Sequence, residues 1–378
     1  MRSVAVFIGT RPEAIKMAPV VEALRADDRF RPIVVATGQH REMLHQVLDL
    51  FEIEPDHDLA VMQPGQTLAS LTGRLVTAID EVLEQDPPDL SLVQGDTTTA
   101  FVGGLASFYR GIRVGHVEAG LRTDDLMTPF PEEGNRRLVG RITSVHFAPT
   151  TGARQNLLRE GVDPETVVVT GNTVIDALFR QLELQRSRNR TSALLEALTA
   201  DLGFSPEAKP YVLVTGHRRE NFGAGFEEIC GALSELSRRF EDHTFVYPVH
   251  LNPRVQGPVH ETLGDRPNVK LIAPRSYEEF LVLMQHCRVV LTDSGGVQEE
   301  APSLGKPVLV MRENTERPEG VEAGTVRLVG ADRDRIVAAV EELLVDEDAY
   351  AEMARAENPY GDGKASQRIV EELARILG

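Results

Sequence analysis

The sequence predicts an α/β protein with two doubly wound domains that face each other across a cleft. Short apolar runs rich in β-branched residues alternate with longer amphipathic stretches, as in parallel-sheet domains. Polar clusters, several of them rich in glycine, follow many of these runs. The alternation starts again near residue 211. Because ligands bind at the carboxyl ends of parallel strands, these clusters are the candidate sites.

The first half of the chain carries the pattern of one domain. Its apolar runs predict strands at 4–8, 33–37, 90–93, 112–117, 144–148 and 167–170. The stretches between them predict helices at 15–24, 44–48, 68–83, 100–109 and 150–158. The segment 121–135 holds two prolines and several acids, and it predicts an active-site loop rather than a helix.

The second half repeats this organisation. Its apolar runs predict strands at 211–215, 244–248, 269–272, 289–291, 308–311 and 326–329. Helices are predicted at 226–236, 277–286, 297–304 and 336–344. The charged region 181–198 predicts a solvated helix near the domain boundary, and 365–377 predicts one amphipathic helix at the end of the chain.

Length and charge exclude several classes of protein. The 378 residues suggest two or three domains. The net charge of −18, from 58 acidic and 40 basic residues, argues against nucleic-acid binding but allows a local basic pocket. No apolar run approaches the length of a membrane span, so no membrane association is expected. Cys230 and Cys287 form no metal-binding or redox pair, which fits the reducing cytoplasm.

The stretch VVLTDSGGVQEEAPSLGKP, at 289–307, predicts a strand, a tight glycine turn and a helix. Gly295 and Gly296 allow the backbone to approach a ligand closely, and Ser294 is placed to cap the helix. The exposed N–H groups at such a helix start bind anions. A carboxylate in the first turn suits a ribose diol, although a plain strand-to-helix loop is the alternative.

A second turn of this kind follows the first predicted strand. Gly9 and Thr10 lead into a helix that carries Arg11 and Lys16. The segment matches neither the GxxxxGK[ST] nor the GxGxxG pattern, so it gives no sign of a nicotinamide cofactor. His40 and His45 lie five residues apart, off a common helical face, so a metal site is not expected there. Anion-binding turns in both domains predict a diphosphate-bearing ligand between them.

The motifs as a set resemble one enzyme family. They are GTRPEAIKMAP, GQHREML, QGDTTTA, GHVEAGLRT, PFPEEGNR, VTGNTVIDAL, VTGHRRENFG, YPVHLNP, DSGGVQEEAPSLGKPVLVMR, TERPEG and NPYGDG. Together they are similar to the non-hydrolysing UDP-N-acetylglucosamine 2-epimerases, from residue 7 to residue 363. The resemblance implies a glycosyltransferase-B-like fold of two Rossmann-like domains, 1–170 and 171–356, with a C-terminal helix in 357–378 that returns to the first.

The resemblance also implies roles for individual residues. Those expected at the diphosphate are Arg11, His217, Ser294, Gly295, Gly296 and Arg317. Those expected at the nucleoside are Glu300 for the ribose, and Arg275 and Phe280 for the uracil. Those expected to line the sugar and to act in catalysis are Lys16, Asp96, Glu118 and Glu132, with His217 as a further catalytic residue. An allosteric site for UDP-N-acetylglucosamine would use Gln39, His40, Gln66 and His250.

The implied reaction explains why acids are needed and a cofactor is not. The C2 hydrogen of the sugar does not neighbour a carbonyl, so a base cannot remove it directly. Loss of UDP from C1 acidifies C2–H and gives a 2-acetamidoglucal, and return of UDP with a proton on the other face gives UDP-N-acetylmannosamine. The departing diphosphate needs preorganised donors, and each face needs an acid or base. Which of Asp96, Glu118 and Glu132 is the base stays open.

The resemblance further implies a cytoplasmic homodimer whose ligands are UDP and the two UDP-sugars, and whose product is a precursor for a cell-surface polysaccharide. Three rival functions remain: a glycosyltransferase of the same fold, a hydrolysing epimerase that releases UDP and N-acetylmannosamine, and a non-catalytic nucleotide-sugar sensor. A retained UDP linkage in the product argues for the reversible epimerase, and the intact set of acids argues against a sensor.

Single residues also have structural alternatives. Asp96 could cap the helix that begins near Thr97. Glu118 and Glu132 could be ion-pair partners of Arg122 and Arg136. In the second domain, the alternatives are a packed histidine at the end of a strand for His217 and a surface charge for Arg317.

Overall fold

The computed structural model describes residues 1–38, 41–63 and 65–378, which divide into two compact units. The first unit comprises Met1–Ala177 and Tyr360–Gly378, and the second comprises Leu178–Pro359. The sequence places these boundaries at 170 and 357. Each unit is an α/β domain built on one parallel sheet, so the predicted fold class is confirmed.

The first unit contains seven parallel strands in the order β3-β2-β1-β4-β5-β6-β7. The strands are β1 (Arg2–Ile8), β2 (Phe30–Ala36), β3 (His57–Asp58), β4 (Leu90–Gln94), β5 (Arg113–Val117), β6 (Val145–Ala148) and β7 (Val167–Val169). The helices are α1 (Arg11–Arg25), α2 (Arg41–Leu50), α3 (Leu68–Gln85), α4 (Thr98–Tyr109), α5 (Glu132–Ile142) and α6 (Thr151–Arg159). Helix α7 (Thr173–Ser187) begins in this unit and ends in the second.

The second unit contains six parallel strands in the order β10-β9-β8-β11-β12-β13. The strands are β8 (Tyr211–Thr215), β9 (Thr244–Pro248), β10 (Val269–Ile272), β11 (Val289–Thr292), β12 (Val308–Val310) and β13 (Val326–Leu328). The helices are α8 (Thr191–Leu202), α9 (Ala224–Arg239), α10 (Pro253–Leu263), α11 (Tyr277–His286), α12 (Gly295–Ser303), α13 (Pro318–Glu322), α14 (Arg333–Val345) and α15 (Glu347–Arg355). The last helix of the chain, α16 (Ala365–Leu377), belongs to the first unit.

In each sheet, the order in which successive strands are added reverses at one strand. In the first unit β1 pairs with β2 on one side and with β4 on the other, so that Val4 lies opposite both Pro32 and Leu90. In the second unit β8 has the same position between β9 and β11. Because successive connections leave such a strand in opposite directions, a crevice opens at its carboxyl end. The loops after β1, β4, β8 and β11 are therefore where a ligand is expected to bind each unit.

Apolar side chains on both faces of the strands explain why the sheets form. In β1, Phe7 lies in the core on one face of the sheet, and Val6 and Ile8, whose side chains alternate to the opposite face, are also fully buried. Val214 and Leu291 are buried in the core of the second unit. Burial on both faces is why these strands consist of nearly continuous apolar runs, which made them predictable. Among the helices that the structure describes, none is both long enough and apolar enough to cross a membrane.

The C-terminal helix α16 is anchored to the first unit by a buried acid. Asp176 accepts hydrogen bonds from the backbone N–H groups of Ala365, at 3.1 Å, and Ser366, at 2.7 Å. These N–H groups have no partner within the helix, so the carboxylate both caps α16 and suits its dipole. Ile369 and Leu373 are buried, and the helix packs against α1.

The prediction of a loop through 121–135 is wrong at its end, because α5 starts at Glu132. Glu132 and Glu133 lie in the first turn, where acids suit the helix dipole. Glu133 also accepts a 2.8 Å hydrogen bond from Arg137, one turn later. The prolines at 129 and 131 precede the helix and do not interrupt it.

The prediction of one solvated helix at 181–198 is also wrong. The region contains the end of α7 and most of α8, separated at 188–190. Gln181 and Gln185 are buried, and their side-chain amides donate to the side chain and the backbone carbonyl of Glu278, at 3.2 and 3.1 Å. Polar residues can be buried when they find such partners, and this is why the composition of the segment was misleading.

Gly120 should tolerate no side chain. Its φ is 93°, and a Cβ there would lie 2.3 Å from the carbonyl oxygen of Ala153. Gly120→Ala should therefore destabilise the first unit by about 3 kcal/mol or more, since strain and a backbone clash add. Gly111 is the control, because its φ is 70° but a Cβ there would have no atom of the described residues within 4 Å.

Gly111→Ala should cost only about 1–2 kcal/mol, the penalty of the left-handed conformation alone. Urea unfolding of both variants measures the difference. Equal losses would show that the backbone around Gly120 yields without cost.

Candidate functional site

Glu118 is the first residue after β5, and its side chain is buried in an ion pair with Lys16. The Gln94 side-chain amide also donates to Glu118, at 2.9 Å. Glu118 has a φ of 63°, in the left-handed region that residues with a side chain rarely adopt. Such strain is concentrated at functional positions. The structure therefore brings two of the predicted sugar-site residues, Lys16 and Glu118, into direct contact.

Asp96 lies in the turn after β4, the strand that pairs with β5. Its carboxylate pairs with Arg136, whose guanidinium also lies 3.2 Å from Glu133. The backbone carbonyl of Asp96 accepts a 2.9 Å hydrogen bond from Asn135. Helix α4 is capped by Thr97, so the alternative in which Asp96 is the cap is wrong. The side chain of Asp96 is thus directed by α5 rather than by the helix that follows it.

Glu132 is a half-buried residue at the start of the same α5. The alternative pairings for the acids predicted Arg122 and Arg136 as their partners. Arg122 instead forms two hydrogen bonds with Glu160, at 2.8 and 2.9 Å, and Arg136 pairs as described above. Each arginine therefore has a carboxylate partner other than the predicted one.

Glu13 is a buried acid in the first turn of α1, and its distant partners could not be predicted from the sequence. Its Oε2 accepts the backbone N–H groups of Gly9, at 3.0 Å, and Thr10, at 2.7 Å. Its Oε1 accepts the Thr97 hydroxyl at 2.7 Å. Burial raises the pKa of Glu13 to about 7, although these hydrogen bonds act in the opposite direction. Arg11 and Lys16 stand on either side of Glu13 in the same helix.

His116 supports the turn that carries Asp96. Its Nε2 lies 2.7 Å from the carbonyl oxygen of Gly95. Burial lowers the pKa of His116 to about 3, so the ring is neutral near pH 7. A neutral ring that donates from Nε2 fixes the carbonyl of Gly95, whose φ of 68° needs glycine.

In the second unit, Asp293 holds the turn after β8. This fully buried carboxylate accepts the backbone N–H groups of His217, at 2.9 Å, and Arg218, at 2.8 Å. The His217 ring stacks on His250, with 5.4 Å between the ring centroids. Burial lowers the pKa of His217, against the opposing effect of the Asp293 charge. About 42% of its side chain is exposed, so His217 is accessible, and the alternative in which it is a packed histidine is wrong.

Arg317 lies against the glycine turn after β11. Its Nε donates to Glu299 at 2.6 Å, and its Nη1 donates to Glu316 at 2.6 Å. A Cβ on Gly295 would be 2.8 Å from Nη1 of Arg317, so the turn needs glycine for the guanidinium to approach. Arg317 is buried, and the alternative in which it is a surface charge is wrong.

Further contacts make this arginine part of a network. Arg312 donates to Glu316 at 2.9 Å and to Glu220 at 2.7 Å. Burial alone would raise the pKa of Glu316, but the charges of Arg317 and Arg312 outweigh it and hold that pKa far below its usual range. Glu316 is therefore ionised, and it fixes both guanidinium groups.

Ser294 immediately precedes α12, and Glu300 lies in the second turn of that helix. Ser294 is the N-cap residue as predicted, but its hydroxyl makes no capping hydrogen bond to the helix. Glu300 is buried and accepts a 2.6 Å hydrogen bond from the Tyr277 hydroxyl. A Cβ on Gly296 would have Glu300 Oε2 as its nearest described atom, at 3.9 Å. Glu300 is thus oriented from α11, while Glu299 faces Arg317.

The two residues predicted at the uracil lie near the start of α11. Arg275 pairs with Asp201 at 2.6 Å and lies 3.5 Å from Glu279. Phe280 is half-buried, in the first turn of the helix. Both belong to the second unit, as does Glu300.

The residues predicted for an allosteric site fall in three places. Gln39 and His40 lie outside the described residues. Gln66 belongs to the first unit and accepts hydrogen bonds from Arg74 and from the backbone of Gln63. His250 belongs to the second unit and stacks on His217, which places it beside a residue predicted for catalysis.

Across 1–38, 41–63 and 65–378, no cluster of three or more histidine, cysteine or acidic side chains could hold a metal ion. Both units instead present cations, glycine turns and oriented carboxylates at the edge of a parallel sheet. This combination is typical of α/β enzymes of two Rossmann-like units that bind nucleotide-type anions.

The particular family follows from comparison with known proteins. The family model for UDP-N-acetylglucosamine 2-epimerase matches residues 22–374. The Yersinia pestis UDP-N-acetylglucosamine 2-epimerase is 56% identical over 374 residues, which cover 99% of this chain and 98% of that protein. The chain belongs to the UDP-N-acetylglucosamine 2-epimerase family and is an isomerase, and the resemblance of its motifs is confirmed.

Solved structures agree with this assignment. The crystal structure of the UDP-GlcNAc 2-epimerase from Neisseria meningitidis bound to UDP-GlcNAc has a TM-score of 0.93 and 47% identity, and the match covers 99% of this chain and 100% of that one. A Staphylococcus aureus protein solved with UDP has a TM-score of 0.90 and 44% identity, with 100% of this chain and 97% of that one covered.

Arg317→Ala should destabilise the second unit strongly. The substitution leaves the buried carboxylates of Glu299 and Glu316 without this cation, which should cost about 3–5 kcal/mol. Arg327→Ala is the control, since it removes an arginine whose pair with Glu342 is about 40% exposed on each side. That loss should be about 1 kcal/mol or less. Denaturant titration compares the two, and similar midpoints would contradict a structural role for the Arg317 network.

Proposed function

We propose that this enzyme interconverts UDP-N-acetylglucosamine and UDP-N-acetylmannosamine by eliminating UDP to a 2-acetamidoglucal and adding it back. The observation that carries the proposal is the pair of oriented acids at one sheet edge: Glu118 held by Lys16, and Asp96 held by Arg136. The relative from Neisseria meningitidis was solved with UDP-GlcNAc, and the Staphylococcus aureus protein with UDP.

The second unit would bind UDP. The N–H groups at the start of α12 and the guanidinium of Arg317 are donors fixed before the ligand arrives, which is what a departing diphosphate requires. Glu300, held by Tyr277, would bind the ribose hydroxyls. Arg275 and Phe280 would contact the uracil. His217, held at its backbone by Asp293, and Arg11 of the first unit would contribute to the diphosphate.

The first unit would supply the proton chemistry. The C1–O bond breaks and its electron pair leaves with UDP, while a carboxylate takes the C2 proton and a C1–C2 double bond forms. In the return step the other face of C2 receives a proton, and an oxygen of UDP forms the bond to C1 again. Asp96, Glu118 and Glu132 are the candidate acids and bases. The reaction has no net oxidation, so its balance requires no redox partner.

Lys16 and Arg136 would keep these acids in place during both steps. Each cation holds one carboxylate, and the left-handed backbone at Glu118 directs its side chain from the end of β5. Positioning of this kind contributes to rate because the reacting groups are already held in the geometry that the reaction needs. We further propose that the enzyme is a cytoplasmic homodimer and that its product is a precursor for a cell-surface polysaccharide.

Two rival reactions predict different products. A glycosyltransferase would transfer the sugar to an acceptor, and a hydrolysing epimerase would release free N-acetylmannosamine and UDP. Proton NMR of the product formed from UDP-N-acetylglucosamine alone separates the three. A new anomeric signal that keeps its coupling to phosphorus supports the reversible reaction.

In deuterated water the UDP-N-acetylmannosamine formed should carry deuterium at C2. Elimination places the C2 proton on a side chain that exchanges with solvent, and the returning proton is then drawn from solvent. Asp96→Asn and Glu118→Gln should each lower turnover about 10²–10⁴-fold, because amides do not shuttle protons. Glu183→Gln makes the same chemical change on an exposed side chain of α7, and it should leave turnover unchanged. Retention of protium at C2 would exclude the elimination mechanism.

Gly296→Ala should weaken UDP binding without destabilising the fold. The added methyl group would have Glu300 Oε2 as its nearest described neighbour, at 3.9 Å, but it occupies the space through which a diphosphate would reach the helix start. Calorimetry should show at least about tenfold weaker UDP binding, or about 1.4 kcal/mol. Gly257→Ala in α10 is the matched control, since it also adds a methyl group to an open helix position. Unchanged UDP affinity in Gly296→Ala would place the diphosphate elsewhere.

A further inference from the structure

The buried carboxylate of Glu13 has no part in the proposed proton transfers, but it links two turns at the edge of the first sheet. Glu13 is 1% exposed, and both of its oxygens are engaged. One oxygen accepts the backbone N–H groups of Gly9 and Thr10 in the turn after β1, at 3.0 and 2.7 Å. The other accepts the hydroxyl of Thr97 in the turn after β4, at 2.7 Å. The carboxylate therefore spans the crevice between β1 and β4, where the strand order reverses.

The Thr97 side chain has a second contact that fixes the same turn. Its Oγ1 accepts the backbone N–H of Ala100 at 3.1 Å and so caps α4. The residue before it is Asp96, whose carboxylate is a candidate acid or base. A hydroxyl held from both sides leaves the backbone at 96–97 little freedom. Glu13 thus acts on Asp96 through one intervening side chain.

Glu13 is also connected to Lys16, because both residues belong to helix α1. Glu13 and Lys16 lie three residues apart on α1 and so share a helical face. Lys16 reaches the carboxylate of Glu118 at the end of β5. Helix α1 therefore contacts the ends of both β4 and β5, through Glu13 and Lys16 respectively. A shift at the start of α1 would move both contacts together.

The turn after β1 is tightly packed at Gly9, so its backbone cannot shift without moving its neighbours. A Cβ on Gly9 would lie 2.2 Å from Oγ1 of Thr99 and 2.8 Å from Oγ1 of Thr37. Those two hydroxyls are hydrogen-bonded to each other at 2.8 Å. The turn after β1 therefore packs directly against the start of α4, and the hydrogen bond from Thr97 to Glu13 links it to the turn after β4.

We propose that Glu13 is a positioning residue of the epimerase reaction, which holds the turn bearing Asp96 and the helix bearing Arg11 and Lys16 in one arrangement. The inference rests on the proposed function for its effect on rate, and on the geometry alone for the link between the turns. Glu13 would take no proton from the sugar and would not contact it. Burying an acid here is costly, since an apolar residue would pack without desolvation, so its presence fits a role in geometry.

Steady-state kinetics of three variants tests the role. Glu13→Ala removes the hydrogen bonds to both turns and should lower kcat about 100-fold, the effect of misplacing reacting groups by about 1 Å. KM should change less than kcat, by no more than about tenfold, because most of the proposed nucleotide contacts belong to the second unit and only Arg11 belongs to the first. Glu13→Gln should retain kcat within about tenfold, since its amide oxygen can accept the two N–H groups and its nitrogen can donate to Thr97.

Thr67→Val is the control for loss of helix capping. Thr67 caps α3 in the same unit by accepting the backbone N–H of Ser70 at 3.2 Å, and α3 carries none of the proposed acids. It should lose stability but keep kcat. If Glu13→Ala loses stability and keeps kcat in the same way, the positioning role is overturned. Should Glu13→Ala not fold, Thr97→Val breaks the link from the other side and carries the same expectation.

Amide hydrogen exchange provides a measurement that does not depend on activity. In Glu13→Ala, peptides covering 9–12 and 95–99 should both exchange faster than in the wild type, and Glu13→Gln should restore protection. In Thr67→Val only the start of α3 should change. Unchanged exchange at 95–99 in Glu13→Ala would overturn the link whatever the enzyme catalyses. If the wild type failed to epimerise while both peptides responded, the proposed function would fall and the link would stand.

Discussion

Two buried carboxylates fix the backbone of the turns at which the strand order of each sheet reverses. The rest of the site geometry depends on these two groups. A turn that is open to a ligand cannot satisfy its N–H groups within the sheet, so another acceptor must do so. In the first unit Glu13 accepts two N–H groups of the turn after β1, and in the second Asp293 accepts two from the turn after β8. The acceptor comes from the following helix in one unit and from the neighbouring strand's turn in the other.

The pairing of charges explains how an acidic protein builds sites for anions. Two arginines at the proposed sites each lie between two carboxylates: Arg317 between Glu299 and Glu316, and Arg136 between Asp96 and Glu133. The planar guanidinium can bond with both at once, which fixes its orientation before any ligand arrives. The net charge of −18 is therefore compatible with local recognition of a diphosphate, because orientation of donors matters more than the overall charge.

The strands and their polar ends were predictable because burial on both faces leaves nearly continuous apolar runs. The partners of the charged groups were not, because they are far apart in the chain: Glu13 bonds with Thr97 across 84 residues, and Asp96 with Arg136 across 40. Periodicity carries no signal for such contacts. The same limit explains the error at 181–198, where polar residues proved to be buried against α11. A prediction from composition treats Gln181 as solvated unless its distant partner is known.

The return of α16 to the first unit has a consequence for synthesis on the ribosome. All of the second unit, through Pro359, is translated before α16 emerges, yet α16 supplies Ile369, Leu373 and Leu377 to the buried interior of its own unit. The apolar surface of α1 that α16 covers stays open during that interval. The second unit can therefore complete its folding first, and the first unit last, which reverses the usual order from N-terminus to C-terminus.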